Sequence, residues 1–431
     1  MRIYDIITKK KEGKALSAEE IKFAVDGYVS GTVADYQMSA LLMAICLRGM
    51  DKDETYHLTK VMLESGDRVD LSCLGELSVD KHSTGGVGDK TTIIVAPIVA
   101  SLGCKVAKMS GRGLGFTGGT VDKLESLTGY RVMQAPEEFL EQVKKIGISV
   151  VGQSGNLAPA DKKLYALRDV TATIDSIPLI ASSIMSKKLA SGSHTIVLDV
   201  KCGSGAFMKT PEDATFLARA MIEIGQGFGR KMRALITNMD VPLGYCVGNR
   251  TEVWEAIQVL SGKGERRLYE ICVSLAASIV SLALNIDTCE AKSMVEGAIS
   301  SGAALNKMRE WIKLQGGNTE YIDKPEMLLG AKNKVPYLAK ADGYITKMQA
   351  DSIGIASMLL GAGRSRLEDE IDYNAGIIFE KSHGDFVKKG DVIAMLFSDG
   401  ENFDACEREL DGAITLSDRE PPKQNLIFNV V

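Results

Sequence analysis

The chain has 431 residues, 45% of them hydrophobic and 25% charged, and its formal net charge is −5 at pH 7. This length exceeds one ordinary hydrophobic core, so we expect two or three domains of a soluble globular protein. The acidic balance argues against nucleic acid or an anionic membrane as the main partner, because either would require a basic surface.

The cysteines and the N-terminus point to a compartment. Eight cysteines are scattered without a C-x-x-C pair, which is typical of reduced thiols in a cytoplasm rather than of disulfides or a zinc site. The segment MRIYDIITKKKEGKALS lacks the apolar core of a signal peptide, and no apolar run reaches membrane-spanning length. We therefore predict a cytoplasmic protein without a membrane partner.

Helical patterns occupy the first part of the chain. Ser17 and Glu20 have the spacing of a capping box, and apolar residues then recur at helical intervals. Residues 36–47 and 52–65 form two further predicted helices, and a later helical stretch covers residues 158–192. We expect that stretch to pack back on the N-terminal helices, so the predicted helical domain joins 1–66 with 158–192.

The middle of the chain alternates short strands with helices. The predicted strands are residues 77–80, 105–109, 149–152, 195–200 and 235–239, and this alternation indicates a mixed, mostly parallel sheet with helices on both faces. We assign 67–157 plus 193–330 to this large α/β domain. The turn-rich residues 331–431 form a predicted α+β subdomain, so the fold class is α/β with a small all-helical domain.

Three of the predicted strands run into glycine-rich loops, HSTGGVG, SGRGLGFTGGT and KCGSGAF. Ligands bind beyond the carboxyl ends of strands in such sheets, so the loops predict one cleft between two domains. The first loop, KHSTGGVGDKTT, is not the usual nucleotide-triphosphate loop, because Asp89 separates Gly88 from Lys90.

Hydroxyl and ammonium groups near these loops predict a phosphate site. Thr92 and Thr120 lie at or near helix starts, where free N–H groups favour an anion. With Ser83 and Ser110 they can surround one phosphate with donors, and Lys81 and Lys108 supply charge. Each loop taken alone favours a tight turn, because short glycine motifs often match by chance. Their combination favours phosphate.

A second group of polar residues lies in and beside the helical stretch. Ser183 and Lys187 are four residues apart and share a helix face, and the apolar context IPLIASSIM indicates that either Lys187 or Lys188 faces a ligand. Arg168 precedes them in LYALRDVT. His82, in the first loop, is either bonded to a backbone carbonyl or acts as a proton donor or hydrogen-bond donor in the cleft.

Four blocks of sequence resemble a known family. SGRGLGFTGGTVDKLE is similar to the signature of the thymidine and pyrimidine nucleoside phosphorylases, and VDKHSTGGVGD, PADKKLYALRDVTATIDSIPLIASSIMSKKLA and LDVKCGSGAFMK are similar to its other blocks. The resemblance covers essentially the whole chain. It implies a homodimer whose helical domain serves base binding and dimerisation and faces the α/β domain across a cleft.

The resemblance also implies a reaction. Inorganic phosphate attacks C1′ of uridine, thymidine or deoxyuridine and reversibly yields the free base and a (deoxy)ribose 1-phosphate of inverted configuration, without an organic cofactor. Lys108 stands where thymidine-specific members have an apolar residue, so the resemblance favours the broad enzyme over a thymidine-specific phosphorylase. The partners are then small molecules alone.

Residue roles follow from the same resemblance. The phosphate-binding positions are Lys81, His82, Ser83, Thr92, Lys108, Met109, Ser110 and Thr120, and the pyrimidine-binding positions are Tyr165, Arg168, Ile180, Ser183 and Lys187. His82, Arg168 and Lys187 are the predicted catalytic groups, because they can stabilise or protonate the departing base.

Two positions depart from the family pattern. Phe116 stands where many members have histidine. The resemblance further implies a potassium site at Gly88, Lys90, Leu243, Cys246 and Glu255, but Lys90 replaces a usual threonine. Either one potassium ion or the Lys90 ammonium is expected beside Glu255.

Two other functions are compatible with the phosphate loops. A phosphoribosyltransferase of similar architecture, such as the anthranilate enzyme, requires acidic residues for magnesium and pyrophosphate. A catalytically silent phosphosugar-binding protein needs no base-binding trio. The presence of Arg168, Ser183 and Lys187 favours the phosphorylase over both.

Overall fold

The fold was analysed on a computed structural model that describes residues 1–113, 118–153, 156–364, 366 and 369–431. Within these ranges the α-helices are α1 Ile3–Lys11, α2 Ala18–Ser30, α3 Asp35–Arg48, α4 Lys52–Glu64, α5 Thr91–Ser101, α6 Thr120–Glu125, α7 Pro136–Ile146, α8 Pro159–Asp169, α9 Ile177–Ala190, α10 Pro211–Gly227, α11 Arg250–Leu260, α12 Arg266–Leu284, α13 Thr288–Ser300, α14 Ala303–Leu314, α15 Glu320–Asp323, α16 Ala350–Ser357 and α17 Phe403–Ala413. Short 3-10 helices cover Ser72–Leu77 and Pro325–Leu329, and a π-helical turn covers Met358–Ala362.

The strands of the described residues form three sheets. They are β1 Ser78–Ser83, β2 Lys105–Ser110, β3 Ile148–Gly152, β4 Thr195–Cys202, β5 Lys231–Asn238, β6 Cys246–Gly248, β7 Asn333–Leu338, β8 Gly343–Met348, β9 Gly376–Phe379, β10 Phe386–Val387, β11 Val392–Ser398, β12 Ile414–Ser417 and β13 Ile427–Val430. The largest sheet has the order β13-β5-β4-β1-β2-β3 and is parallel except for β13. The predicted α/β class with a mixed, mostly parallel sheet is therefore confirmed.

Helices α1 to α4 form a bundle around an apolar core. The predicted capping box is present, because Ser17 Oγ accepts from the Glu20 N–H at 3.3 Å and Glu20 Oε2 accepts from the Ser17 N–H at 2.7 Å. Ala160 and Leu164 of α8 and Leu179 of α9 complete the same core. The helical stretch after β3 thus packs back on the N-terminal helices.

Helix α9 also packs against the large sheet. Its Ala181, Met185 and Leu189 pack against the apolar side chains of β4 and of α10. The opposite sheet face is covered by α5, α11, α12, α13 and α14. One helix therefore contributes to both cores, and α9 connects the helical bundle with the sheet.

The C-terminal region contains two small antiparallel sheets, β10-β8-β12 and β6-β9-β11-β7. Two strand pairings join residues on opposite sides of the predicted boundary at residue 331. Strand β6 pairs with β9, and β13 returns to the large sheet beside β5. The last strand, β13, thus lies in the large sheet, because pairing with a sheet edge depends on long-range contacts, and the division at residue 331 stays a prediction.

One helix passes the length and composition criteria of a membrane span, contrary to the sequence-based expectation. Helix α12 has a window of mean hydropathy 1.6, but 67% of that window is buried inside the protein. Leu268, Ile271 and Leu275 belong to the core under the sheet. Such burial is the pattern of a core helix in an α/β domain.

Candidate active site

The three glycine-rich loops follow adjacent strands. Strand β1 lies between β4 and β2, and all three are parallel, so their carboxyl ends share one edge of the sheet. The first loop ends at Lys90, where α5 begins. Gly88 has φ +73°, and a Cβ there would lie 2.7 Å from the Leu243 carbonyl oxygen, so this position requires glycine.

Lys81 lies in a buried network of opposite charges. Its Nζ donates to Thr91 Oγ1, and it lies 3.5 Å from Asp199 Oδ2 and 3.8 Å from Asp89 Oδ1. Lys201 Nζ is 2.7 Å from the same Asp199 oxygen. Burial opposes ionisation of Asp89, but Lys81 and Lys201 hold the pKa of Asp89 well below its ordinary value. The ammonium groups are thus neutralised inside the protein.

A second group of charges surrounds Asp80. Its two oxygens accept from Lys108 Nζ at 3.0 Å and from Lys188 Nζ at 2.8 Å, and Lys108 also donates to the Lys81 carbonyl at 2.6 Å. Burial lowers the pKa of Lys108 to about 8, with Asp80 acting in the opposite direction. Lys108, predicted to bind phosphate, therefore lies beneath β1 in contact with Asp80.

His82 is neutral at neutral pH. Burial, together with the nearby ammonium groups of Lys188 and Lys108, lowers the pKa of His82 well below its ordinary value. Its Nε2 is buried and, within the described part of the chain, has no hydrogen-bond partner. This nitrogen is therefore not bonded to a described backbone carbonyl, which was one of the two expectations for His82. A neutral imidazole can donate one hydrogen bond and accept another.

The other predicted phosphate residues lie around the same strand ends. Ser83, Met109, Ser110 and Thr120 are partly exposed and Thr92 is buried. A Cβ at Gly119 would lie 2.1 Å from the Gly113 nitrogen, because the backbone folds on itself there. Phe116 falls outside the described residues.

Lys187 and Ser183 meet as their spacing predicts. Lys187 Nζ donates to Asp161 Oδ2 at 2.5 Å and to Ser183 Oγ at 3.0 Å. The Lys187 side chain is 26% exposed, whereas Lys188 and Asp161 are each 4% exposed. Of the two adjacent lysines, Lys187 is therefore the one that reaches the surface.

Arg168 is anchored by backbone carbonyls. Its Nε donates to Thr173 at 3.2 Å, and its two terminal nitrogens donate to Leu179 at 3.1 Å and to Ile174 at 2.8 Å. Three of its five N–H groups are used by these described carbonyls, so the guanidinium is fixed while donors remain. The Tyr165 ring, 38% exposed, lies 6.0 Å from Lys187 Nζ, and Ile180 is partly buried nearby on α9.

The Lys188–Asp80 pair joins the two groups. We call Asp80, Lys81, Asp89, Lys108, Lys188, Asp199 and Lys201 the strand-end cluster, and Asp161, Tyr165, Arg168, Ser183 and Lys187 the helix-pair cluster. Lys187 precedes Lys188 on α9, and Asp80 precedes Lys81 and His82 on β1. The ion pair therefore places the helix-pair cluster beside the strand that carries His82.

Lys90 fills the position considered for potassium. Its Nζ donates to the carbonyl oxygens of Leu243 at 2.8 Å and Cys246 at 2.7 Å, and to Glu255 Oε2 at 2.5 Å. Lys90 is fully buried. The oxygens that were predicted to coordinate the ion already bind an ammonium group, so the residues present do not fit a potassium ion.

Several charged residues of the site were missed by sequence reasoning. They are Asp80, Asp161 and Asp199, whose lysine partners lie far away in the chain, and Lys201, which pairs with Asp199 on the same strand. A signal was available, because VDK and LDVK place charges inside strands that are otherwise apolar. A charge on a buried strand requires an opposite charge or a ligand.

Family models match three parts of the chain. Residues 4–66 match the helical bundle domain of a glycosyl transferase family, and residues 75–305 match its a/b domain. Residues 344–417 match a pyrimidine nucleoside phosphorylase C-terminal domain.

Relatives match over nearly the full length. The chain is 50% identical to the pyrimidine-nucleoside phosphorylase of Geobacillus stearothermophilus, with 100% of both chains covered. It is 51% identical to the enzyme of that name from Staphylococcus haemolyticus, with 96% of both covered, and 52% identical to that of Staphylococcus aureus MSSA476, with 97% of both covered.

A solved structure supports the fold alone. Anthranilate phosphoribosyltransferase from Thermus thermophilus aligns with a TM-score of 0.57 at 19% identity, and the match covers 72% of this chain and 99% of that one. The shared architecture explains why the anthranilate enzyme was a reasonable alternative from sequence. It does not select an activity.

Proposed function

The chain belongs to the pyrimidine-nucleoside phosphorylases, and from this membership we propose that it cleaves uridine, thymidine and deoxyuridine with inorganic phosphate to give the base and a (deoxy)ribose 1-phosphate. The enzyme is a pentosyltransferase of the glycosyl transferase family. The observation that carries the substrate proposal is the Lys188–Asp80 contact of 2.8 Å, since it brings base-binding candidates beside the predicted phosphate loops.

The strand-end cluster supports phosphate binding. Phosphate approaching the loop after β1 would meet Ser83, Thr92 and the N-terminus of α5, an 11-residue helix. Lys81 is already held by Asp89 and Asp199, so its ammonium is oriented before the ligand arrives. Because this ammonium is already oriented, little reorganisation free energy is needed when the negative phosphate binds.

The helix-pair cluster supports pyrimidine binding. Lys187 is positioned by Asp161 and Ser183, and Arg168 is positioned by three carbonyls. Both present N–H groups that can donate hydrogen bonds to the carbonyl oxygens of uracil or thymine. Tyr165 lies near both cations and can cover the ring.

The proposed mechanism places charge stabilisation on the base. As phosphate attacks C1′ and the bond to N1 breaks, negative charge spreads over N1, C2 and O2 of the base. Arg168 and Lys187 stabilise this charge, and neutral His82 supplies a hydrogen bond at O2 through its unpaired nitrogen. The low pKa of His82 favours hydrogen bonding over delivery of a stored proton.

Turnover also needs relative motion in this proposal. The phosphate is bound by the α/β domain and the base mainly by the helical domain, so closure aligns the two reactants. The segments after Glu64 and after β3 connect the domains, and Asp67 N donates to the Asn156 carbonyl at 3.1 Å between them.

A homodimer and a cytoplasmic location complete the proposal. Tyr36, Met43 and Leu47 lie on one face of α3 and are 76%, 38% and 75% exposed, which suits a surface covered by a second copy. All eight cysteines are unpaired thiols, as a reducing compartment favours.

The test is phosphate-dependent cleavage. We expect uridine, thymidine and deoxyuridine each to show an ultraviolet absorbance change and to release the free base only when phosphate is present. Anthranilate with 5-phosphoribosyl 1-diphosphate is the matched control and should give no product. Base release without phosphate, or none with it, contradicts the proposal, and cleavage of thymidine alone restricts it to a thymidine phosphorylase.

A further inference from the structure

The ammonium of Lys90 lies in a cage of oxygens that belongs to another part of the chain. Its three contacts are the Leu243 carbonyl, the Cys246 carbonyl and Glu255 Oε2, at 2.5 to 2.8 Å. An ammonium group has three N–H donors, and each finds one acceptor. The geometry is that of a buried cation with all of its hydration shell replaced by protein oxygens.

The cage is rigid apart from Lys90. Glu255 also accepts from the Tyr245 N–H at 2.6 Å and the Cys246 N–H at 3.0 Å, so its carboxylate is fixed on α11. The two carbonyl oxygens face the turn at Gly88, where a Cβ would lie 2.7 Å from the Leu243 oxygen and 3.1 Å from the Cys246 oxygen. The oxygens are therefore held in place by backbone that does not depend on the Lys90 side chain.

The described carboxylates around the cage are already paired with lysines, so a second cation would find no unpaired negative charge there. Glu252 lies one turn before Glu255 on α11, and Lys123 Nζ is 2.7 Å from its Oε2. Each carboxylate of this helix thus has its own lysine. An additional monovalent ion would be buried beside two ammonium groups without a free anion, which is unfavourable in a low-dielectric interior.

The position of Lys90 connects the cage to the site. Lys90 directly precedes α5, and its backbone N–H donates to the Gly88 carbonyl at 3.0 Å, within the loop that leads from His82 to Thr92. The cation therefore ties this loop to the segment of residues 243–246 and to α11. Removing the positive charge would release the loop and leave Glu255 buried without a counter-ion.

We propose that Lys90 replaces a bound monovalent metal ion in this protein, and that its oxygen cage becomes a potassium site only when the lysine side chain is shortened. Carbonyl oxygens and one carboxylate are suitable ligands for K⁺, which exchanges its hydration shell for such oxygens in other proteins. The native protein is then independent of potassium, because the cation is covalently attached to the chain.

The test compares K⁺ with choline at equal ionic strength, using the thermal unfolding midpoint of the full chain. The midpoint of the native protein should be the same in both salts within ~1 °C, as expected when no ion binds. In Lys90→Thr the midpoint in choline should fall by about 5 °C or more, because a buried ion pair is broken. Added K⁺ should recover at least half of this loss in a saturable manner.

Two variants serve as controls. Lys90→Met removes the charge but fills the space, so its midpoint should fall and stay low in K⁺. Lys10→Thr breaks another well-buried pair, Lys10–Glu54 at 2.7 Å, whose lysine nitrogen contacts the carboxylate alone and has no described carbonyl around it. It should be destabilised equally in both salts.

Direct ion binding provides the deciding readout. Thallium(I) serves as a probe for K⁺. The native chain should show no saturable thallium binding, whereas Lys90→Thr should show one saturable site. A K⁺-dependent midpoint or a thallium site in the native protein overturns the proposal, even if Lys90→Thr does not fold. A folded Lys90→Thr that ignores K⁺ overturns it as well.

Discussion

The strand-end cluster and the helix-pair cluster hold their cations in different ways. In the strand-end cluster, Lys108, Lys188 and Lys201 are at most 5% exposed and each contacts a fully buried aspartate, Asp80 or Asp199. In the helix-pair cluster, Lys187 is 26% exposed and Arg168 is held by neutral carbonyls. The first cluster is therefore a closed set of compensating charges, and the second keeps donors available.

This difference fits the ligands proposed for each side. Phosphate brings its own negative charge, so the strand ends can balance their lysines internally and still attract an anion through oriented groups. A pyrimidine is neutral when it binds and becomes negative only as the glycosidic bond breaks. Donors that remain unneutralised next to the base stabilise that later charge selectively.

The largest expected effect comes from removing one carboxylate on each side. Asp80→Asn leaves Lys108 and Lys188 buried without a counter-ion and should reduce the free energy of unfolding by about 3–5 kcal/mol. Asp161→Asn should cost only up to about 1 kcal/mol, because Lys187 can reach water. Urea unfolding of both variants measures the contrast. Equal losses would show that the two clusters do not differ in burial of charge.

The next largest effect is on catalysis. Lys187→Met should lower kcat/KM for uridine by ~10²–10³, since a donor aimed at the departing base is lost. Lys162→Met, on the exposed side of α8, is the matched control and should remain within about twofold, as surface changes usually do. Steady-state kinetics at saturating phosphate make the comparison. A loss below tenfold in Lys187→Met would remove that residue from the mechanism.

The smallest expected effect is a pH dependence on the phosphate side. Burial lowers the pKa of Lys108 to about 8, so its ammonium loses a proton as the pH rises through that value and Asp80 loses part of its compensation. The KM for phosphate should then rise several-fold above pH ~8, because negative charge is added near the loop.

In Lys108→Met this step should disappear, whereas Lys105→Met on the same strand should retain it. The KM for phosphate, measured for all three proteins across the alkaline range, distinguishes them. A step of the same size in Lys108→Met assigns it to another group. The same variant tests the expectation that Lys108 favours uridine, since a shift of the kcat/KM ratio toward thymidine should accompany the change.

The sequence by itself determined the local elements and the family. Capping, hydrophobic period and strand length are properties of neighbouring residues, so α2 with its Ser17 cap and the strands β1 to β5 were predicted within a few residues. The glycine loops were predicted at one sheet edge for the same reason, because parallel strands present their carboxyl ends together.

Only the tertiary structure decided which charges meet. Asp80 and Lys188 are 108 positions apart, and Asp199 contacts Lys81 only because β4 pairs with β1. The resemblance to a family left two occupants open beside Glu255, and the packing of α5 against α11 places an ammonium there. Burial makes each such pair depend on the whole fold, since a charge leaves water only where a distant partner is already in position.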